Sequence, residues 1–318
     1  MFEHVEFDLT NKCNAACPQC PRADADFEMI LKHTDQEVKL DDVVRWFDKS
    51  ALDNIKRISF KGSFSDPIIA KDFYEIVEFF INNTQASITI CTNGSLRKTD
   101  WWERLGDLIK TRGICIFGID GLADTHAIYR INTNYEKIIK NATAFINSGG
   151  RAHWQFIAFK HNQHQIELAE SEAKKLNFER FFTIGSDRFQ EDSSVVKTKK
   201  DNKIEKSDLI SSNTREDYKN LQINTRQVVC KSKLTNWILI DWTGEIFPCC
   251  MSQSWKKNVV RKDFGADYWY KKIVKDPTCS NLHTASLTDV SLLLDDFYDQ
   301  LNRKIIPQIC SQYCSVKK

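Results

Sequence analysis

Cys13, Cys17 and Cys20 stand within the stretch Asp8-Leu-Thr-Asn-Lys-Cys13-Asn-Ala-Ala-Cys17-Pro-Gln-Cys20-Pro-Arg22, spaced C-x3-C-x2-C. The thiolate form of cysteine binds metal, and three thiolates are one short of a closed tetrahedral zinc site. They suit a [4Fe–4S] cube in which one iron stays open to a small ligand. Cys230, Cys249, Cys310 and Cys314 form a second set near the other end of the chain. Four thiolates suit a structural zinc ion or a second cube. Cys91 and Cys115 fall inside apolar stretches and read as buried thiols.

The elements that must carry these side chains are written in the hydrophobic pattern. His4-Val5-Glu6-Phe7-Asp8-Leu9 alternates and reads as a strand running into the first cysteine loop. Further strands are expected at 56–61, 86–91, 114–119, 153–159 and 181–184. Between them lie helical faces: Leu40, Val43, Val44, Phe47; Phe73, Ile76, Val77, Phe80; Trp101–Ile109; Tyr135, Ile138, Ile139, Ala142; and Ile166, Ala169, Ala173, Leu176. Strands alternating with helices predict a parallel α/β sheet over 1–185. Residues 186–226 are polar, with Lys197, Lys199, Lys200, Lys203 and Lys206 close together, and read as a bridge that is partly mobile. From 227 to 318 the pattern resumes with Trp237–Asp241 and Glu245–Phe247 around Gly244, a β-hairpin, and a helix through Leu287, Val290, Leu294 and Leu301.

Composition narrows the function. Lys+Arg is 45 and Asp+Glu 43, so no global cationic field for nucleic acid exists. No apolar run approaches membrane-spanning length. The eleven cysteines lack a secretory signal before them, which implies a reducing cytoplasm and metal ligation in place of disulfides.

The first cysteine motif resembles that of the radical S-adenosylmethionine (SAM) enzymes. That resemblance implies a cube on Cys13, Cys17 and Cys20, SAM chelated at the open iron, and reductive cleavage of SAM to a 5′-deoxyadenosyl radical that abstracts hydrogen from a substrate. It implies a partial (β/α)6 TIM-like barrel with its chemistry at the C-terminal ends of the strands. Ser65-Asp66-Pro67 is similar to the family's Gly-Glu-Pro segment, which takes SAM's amino group. Gly118-Ile119-Asp120-Gly121 with Tyr129-Arg130 is similar to the Ser-x-Asp-Gly…Tyr-Arg block, in which Arg130 would pair with SAM's carboxylate and Asp120 belongs to the same site. Asn93 would meet the ribose. Gln19 stands before the last cysteine, where the family has an aromatic residue on the adenine.

The spacing Cys230-x13-Gly244-x4-Cys249 resembles the opening of the SPASM and twitch domains of the same family. This implies a small twitch-type domain, hairpin plus helix, in which Cys230, Cys249, Cys310 and Cys314 hold an auxiliary [4Fe–4S] cluster. Cys250 and Cys279 are alternative ligands. A small-molecule substrate is expected first, because the chain opens directly on strand one without a leader-binding domain. A peptide or nucleotide substrate is the alternative, and a flavodoxin or ferredoxin is the expected electron donor. The rival from another class is a zinc-binding structural module.

Overall fold

The computed structural model describes residues 2–22, 34–186, 188–189, 194–197, 203–210, 228–250, 252–253, 277–303 and 315–316. Six strands run parallel through one sheet in sequence order: β1 His4–Phe7, β2 Arg57–Phe60, β3 Ser87–Thr92, β4 Gly113–Gly118, β5 Arg151–Ala158 and β6 Arg180–Gly185. Parallel neighbours need crossovers. These are provided by α1 Leu40–Trp46 and α2 Lys49–Asn54, α3 Phe73–Asn83, α4 Thr99–Ile109, α5 His126–Tyr129 with α6 Tyr135–Asn147, and α7 Ile166–Lys175. Every expected strand and helix of this part is present, with ends shifted by one or two residues.

The helices form where local chemistry starts them and packing holds them. The Asp48 side chain accepts the Ala51 N–H at 2.8 Å, and Asn134 accepts the Lys137 N–H at 2.7 Å. Each such cap contributes about 1 kcal/mol. Phe73, Ile76, Val77 and Phe80 of α3 are all buried. The α1 face differs from its predicted line. Val43, Trp46 and Phe47 are buried, while Val44 is 52% exposed. A stripe through 43, 46 and 47 leaves position 44 turned aside at the helical step.

Strand pleating separates two environments. Val5 and Phe7, Ile58 and Phe60, Ile88 and Ile90 join the helices in the main apolar core. Phe7 stacks on Phe60 at 5.6 Å. Their alternates, Glu6, Ser59 and Cys91, therefore face the lumen side. Glu6 and Ser59 are register partners there.

Beyond β6, β7 Val195–Lys197 pairs antiparallel with β8 Lys203–Glu205. Then follow β9 Val228–Val229, β10 Trp237–Ile240, β11 Ile246–Phe247 and β12 Ser315–Val316. The expected hairpin is present as β10 and β11. The Asp241 carboxylate accepts from Thr243 N, Thr243 Oγ1 and Glu245 N across the turn. Gly244 has φ +77°, and a Cβ there would meet the His283 ring at 2.9 Å and Trp46 at 3.0 Å. Glycine is the residue that tolerates both demands.

β10 lies parallel beside β1, with Ile240 opposite Phe7, and the sheet order becomes β11-β10-β1-β2-β3-β4-β5-β6. The hairpin assigned by sequence to the 227–318 unit thus extends the barrel sheet. It satisfies the backbone edge of β1 that would otherwise lie bare. The polar 186–226 segment also contributes structure where it is described. Phe189 and Ile204 are buried with Tyr129 and Phe159 in a small second cluster. Its apolar anchors are too few for composition to show them. Among the described residues no helix is long and apolar enough to cross a membrane.

Candidate active site

The loop after β1 is tied on several sides. Ala16 N donates to Ile131 O at 3.0 Å, and Asp66 N donates to Lys12 O at 3.0 Å. Cys20 N donates to Cys17 O at 2.9 Å, closing a turn that brings the last two cysteines together. Arg22 is buried inside the loop. Its guanidinium donates to Ala15 O at 2.5 Å, to Cys13 O at 3.4 Å and to Cys20 Sγ at 3.4 Å. A five-donor fork suits this task.

Cys13, Cys17 and Cys20 line a single cavity of about 320 Å³, together with Arg22, Lys61, Ser65, Asp66, Asn93 and Arg130. Each sulfur faces a donor: Asn93 Nδ2 at 3.8 Å from Cys13, Arg130 Nη1 at 3.9 Å from Cys17, and Arg22 Nε beside Cys20. Burial pushes the Cys13 thiol up to about 12, with Asp66 adding to it and Arg22 opposing. Burial also raises Cys17, against the pull of Arg130. Such thiols ionise when a cation binds them. Among the described residues no three His, Cys, Asp or Glu side chains are arranged to hold a single metal ion. The three thiols line one cavity, a donor set that fits a [4Fe–4S] cube with one iron left open.

The predicted SAM-contact residues divide. Ser65, Asp66, Asn93 and Arg130 line the cavity beside the cysteines. Asp66 is buried, and its carboxylate accepts from Thr92 Oγ1 at 2.9 Å, Asn93 N at 2.8 Å and Ile68 N at 3.4 Å. Burial raises its pKa. It ties the β2 loop to the end of β3. Asn93 Oδ1 accepts from Ser95, and its Nδ2 donates to Asn14 Oδ1 at 3.0 Å, which aims the amide at the cysteine loop.

Arg130 Nε donates to Asp120 Oδ2 at 2.6 Å. Burial disfavours its charge, but Asp120, Cys17 and Tyr129 together outweigh this and its pKa is raised. Gly118, where the family has serine, lies directly under the guanidinium. A Cβ would sit 2.6 Å from Arg130 Nη2. Asp120 and Gln19 do not line this cavity. Asp120 is fully buried behind Arg130, and its Oδ1 accepts from Ile157 N at 2.7 Å. Gln19 Oε1 accepts from Ser186 Oγ at 2.8 Å. Both side chains are drawn into the protein by these bonds.

Sequence reasoning missed Arg22, Lys61, Gln155 and Arg188, all of which line the cavity, and Cys91, which lines it too. Strand alternation through Ser59 was a usable signal for Lys61. Cys115 is buried, as expected. In the second set, Cys230 and Cys249 are half-buried, Cys250 is half-buried and Cys279 is exposed. Ser252 Oγ donates to Cys249 O at 2.6 Å. Cys310 and Cys314 lie outside the described residues.

No family model and no curated protein matches the sequence. Solved structures do match. SuiB of Streptococcus suis bound to S-adenosylmethionine is 16% identical, with TM-score 0.57 over 86% of this chain and 66% of that one. SuiB bound to precursor peptide SuiA gives 14% identity and TM-score 0.56 over 86% and 65%. A histidine-tagged anSMEcpe with bound AdoMet gives 12% and 0.56 over 94% and 83%. The chain thus spans just under two thirds of SuiB's length. At these identities the likeness is one of fold, and the chain has the α/β partial-barrel fold of the radical SAM enzymes.

Proposed function

We propose that this chain is a radical SAM enzyme whose cysteine loop holds a [4Fe–4S] cluster on Cys13, Cys17 and Cys20. The observation that carries the reading is the meeting of those three thiols with Arg130, Asp66 and Asn93 in one cavity after the ends of β1 to β4. When bound, the cluster supplies the electron that splits SAM's sulfonium and yields a 5′-deoxyadenosyl radical for hydrogen abstraction.

The chain's own residues bind and orient. Arg130, held by Asp120, presents a charged fork for SAM's carboxylate. Asp66 acts chiefly as a positioning residue for Asn93, whose amide faces Cys13. Arg22 fixes the loop and places positive charge beside the thiolates. Cys230, Cys249, Cys310 and Cys314 are the proposed ligands of an auxiliary [4Fe–4S] cluster in a twitch-type unit, with Cys250 and Cys279 as alternatives. The electron donor would be a flavodoxin or ferredoxin, and the setting the cytoplasm.

The substrate is proposed to be a small molecule. A peptide substrate is the second reading, favoured by the likeness to SuiB bound to precursor peptide SuiA.

Anaerobic reconstitution tests the whole. Two cubes predict about 8 iron per chain with matching sulfide, and about 4 removes the auxiliary cluster. Dithionite and SAM should then give 5′-deoxyadenosine. Stoichiometric zinc without iron would identify a zinc module instead.

A further inference from the structure

The cavity beside the cysteine loop carries four cationic side chains along with the thiols of Cys13, Cys17, Cys20 and Cys91. Arg22, Lys61, Arg130 and Arg188 line it, against the single carboxylate of Asp66, whose oxygens already accept from Thr92, Asn93 and Ile68. Three of these cations have partners in the loop or behind it. Arg22 donates to loop carbonyls and Cys20, Arg130 to Asp120 and Cys17, and Arg188 Nη1 to Gln19 O at 3.2 Å.

Lys61 is placed differently. Its Nζ lies 3.0 Å from Glu6 Oε2, and the Glu6 side chain is only 4% exposed. The Trp237 ring lies 5.8 Å from the same nitrogen. The Cys91 and Cys250 thiols also act on its charge. The Lys61 side chain is nonetheless 42% exposed, and an ammonium has three N–H donors. Glu6 and Trp237 therefore hold the ammonium of a residue that lines the cavity, and one ion pair leaves N–H donors of that ammonium to spare. Burial disfavours the charge on Lys61, but Glu6 together with Cys91 and Cys250 holds its pKa above the ordinary lysine value. Ser63, Gln155 and Ser186 add neutral polar groups to the same lining.

Resting on the proposed function, we infer that Lys61 anchors a substrate subsite for an anionic group, a carboxylate or a phosphate, separate from the place of SAM's own carboxylate at Arg130. A held anion fixes the distance between the substrate's reacting carbon and SAM. An ammonium is a point charge and takes either anion without a preferred fork geometry, so the test has an arm for each.

The reconstituted, SAM-loaded protein is titrated calorimetrically with glutarate and, separately, with inorganic phosphate. Saturable binding of at least one is expected, the tighter of the two naming the anion, with Lys61→Met weakening it by about tenfold or more, the loss typical of a charged hydrogen bond. Lys61→Met alone leaves Glu6 buried and unpaired, a destabilising change. The neutral pair variant Glu6→Gln/Lys61→Met is therefore measured beside it, with the same loss expected, and Lys61→Arg is expected to retain binding. Absence of saturable binding to the wild-type protein, or equal binding by the pair variant, overturns the subsite. A matching loss of SAM affinity in these variants assigns Lys61 to SAM and overturns it as well. Iron content and SAM affinity of the wild-type protein report separately on the enzyme reading. A protein that holds neither, yet loses anion binding with Lys61, keeps the subsite and loses the radical chemistry.

Discussion

Gln253 donates its Nε2 to Asp8 Oδ2 at 3.0 Å, joining residues 245 positions apart. The other carboxylate oxygen of Asp8 accepts from Ser65 Oγ at 2.6 Å. Asp8 follows β1 and opens the cysteine loop, Ser65 precedes Asp66, and Gln253 follows Ser252, which holds Cys249. One buried carboxylate therefore connects the cysteine loop, the Asp66 loop and the segment carrying a proposed auxiliary ligand.

That carboxylate gives a pH signature. Burial pushes Asp8 up to about 7 from an ordinary 3.8, against the bonds from Ser65 and Gln253. The folded protein therefore holds this proton more tightly than the unfolded chain. The resulting stability is full below about pH 4 and is lost as pH rises through about 7. Asp8→Asn keeps an acceptor for Ser65, and a flip of the Gln253 amide restores the second bond. Melting of the metal-free protein should show wild type losing, from pH 5 to 8, on the order of a few kcal/mol relative to the Asn variant. A gap that does not change with pH would rule out Asp8 as the titrating group.

Arg130→Ala should weaken SAM binding by about 1.5–3 kcal/mol, the range for a hydrogen bond to a charged group. It also strands the buried Asp120 carboxylate, so the folded fraction must be measured alongside. Asp120→Asn keeps the shape but loosens the guanidinium, and should give a smaller loss of SAM affinity. Unchanged affinity in a folded alanine variant would remove Arg130 from the SAM site.

Gly118→Ser puts back the serine of the resembling family. Here its Cβ would lie 2.6 Å from Arg130 Nη2, and overpacking of this kind costs about 1–3 kcal/mol. The guanidinium should be displaced and SAM affinity should fall by about tenfold, read by equilibrium dialysis. Wild-type affinity would mean that Arg130 has a second productive position.

The two cysteine sets should separate by function. Cys17→Ala should abolish 5′-deoxyadenosine formation under dithionite. Cys249→Ala should retain some SAM cleavage while losing product, once circular dichroism and the remaining iron show that the protein is folded. Product at the wild-type rate from that variant would make the second set structural.

The barrel was legible because its signals are local. Alternation and helical spacing mark β1 to β6 and their helices within windows of a dozen residues, and the three cysteines need no context. The pairing of β10 with β1 was not legible, since nothing within either strand encodes a partner more than two hundred positions away. Arg22 and Arg188 belong to no periodic face, so their entry into the cavity depends on loop paths. Asp66 was identified as a site residue, but its bonds to Thr92 and Asn93 exist only once β2 and β3 are neighbours.

The place of β10 also orders events in time. During synthesis β1 emerges first, and β2 can cover one of its edges soon after. The other edge waits for Ile240. At about 5–20 residues per second, that wait lasts roughly 10–50 s. Gln253 must follow before Asp8 gains its last hydrogen bond. On a nascent chain one edge of the strand that feeds the cysteine loop therefore stays uncovered until Ile240 has been made, a long interval in which another extended segment can pair with it.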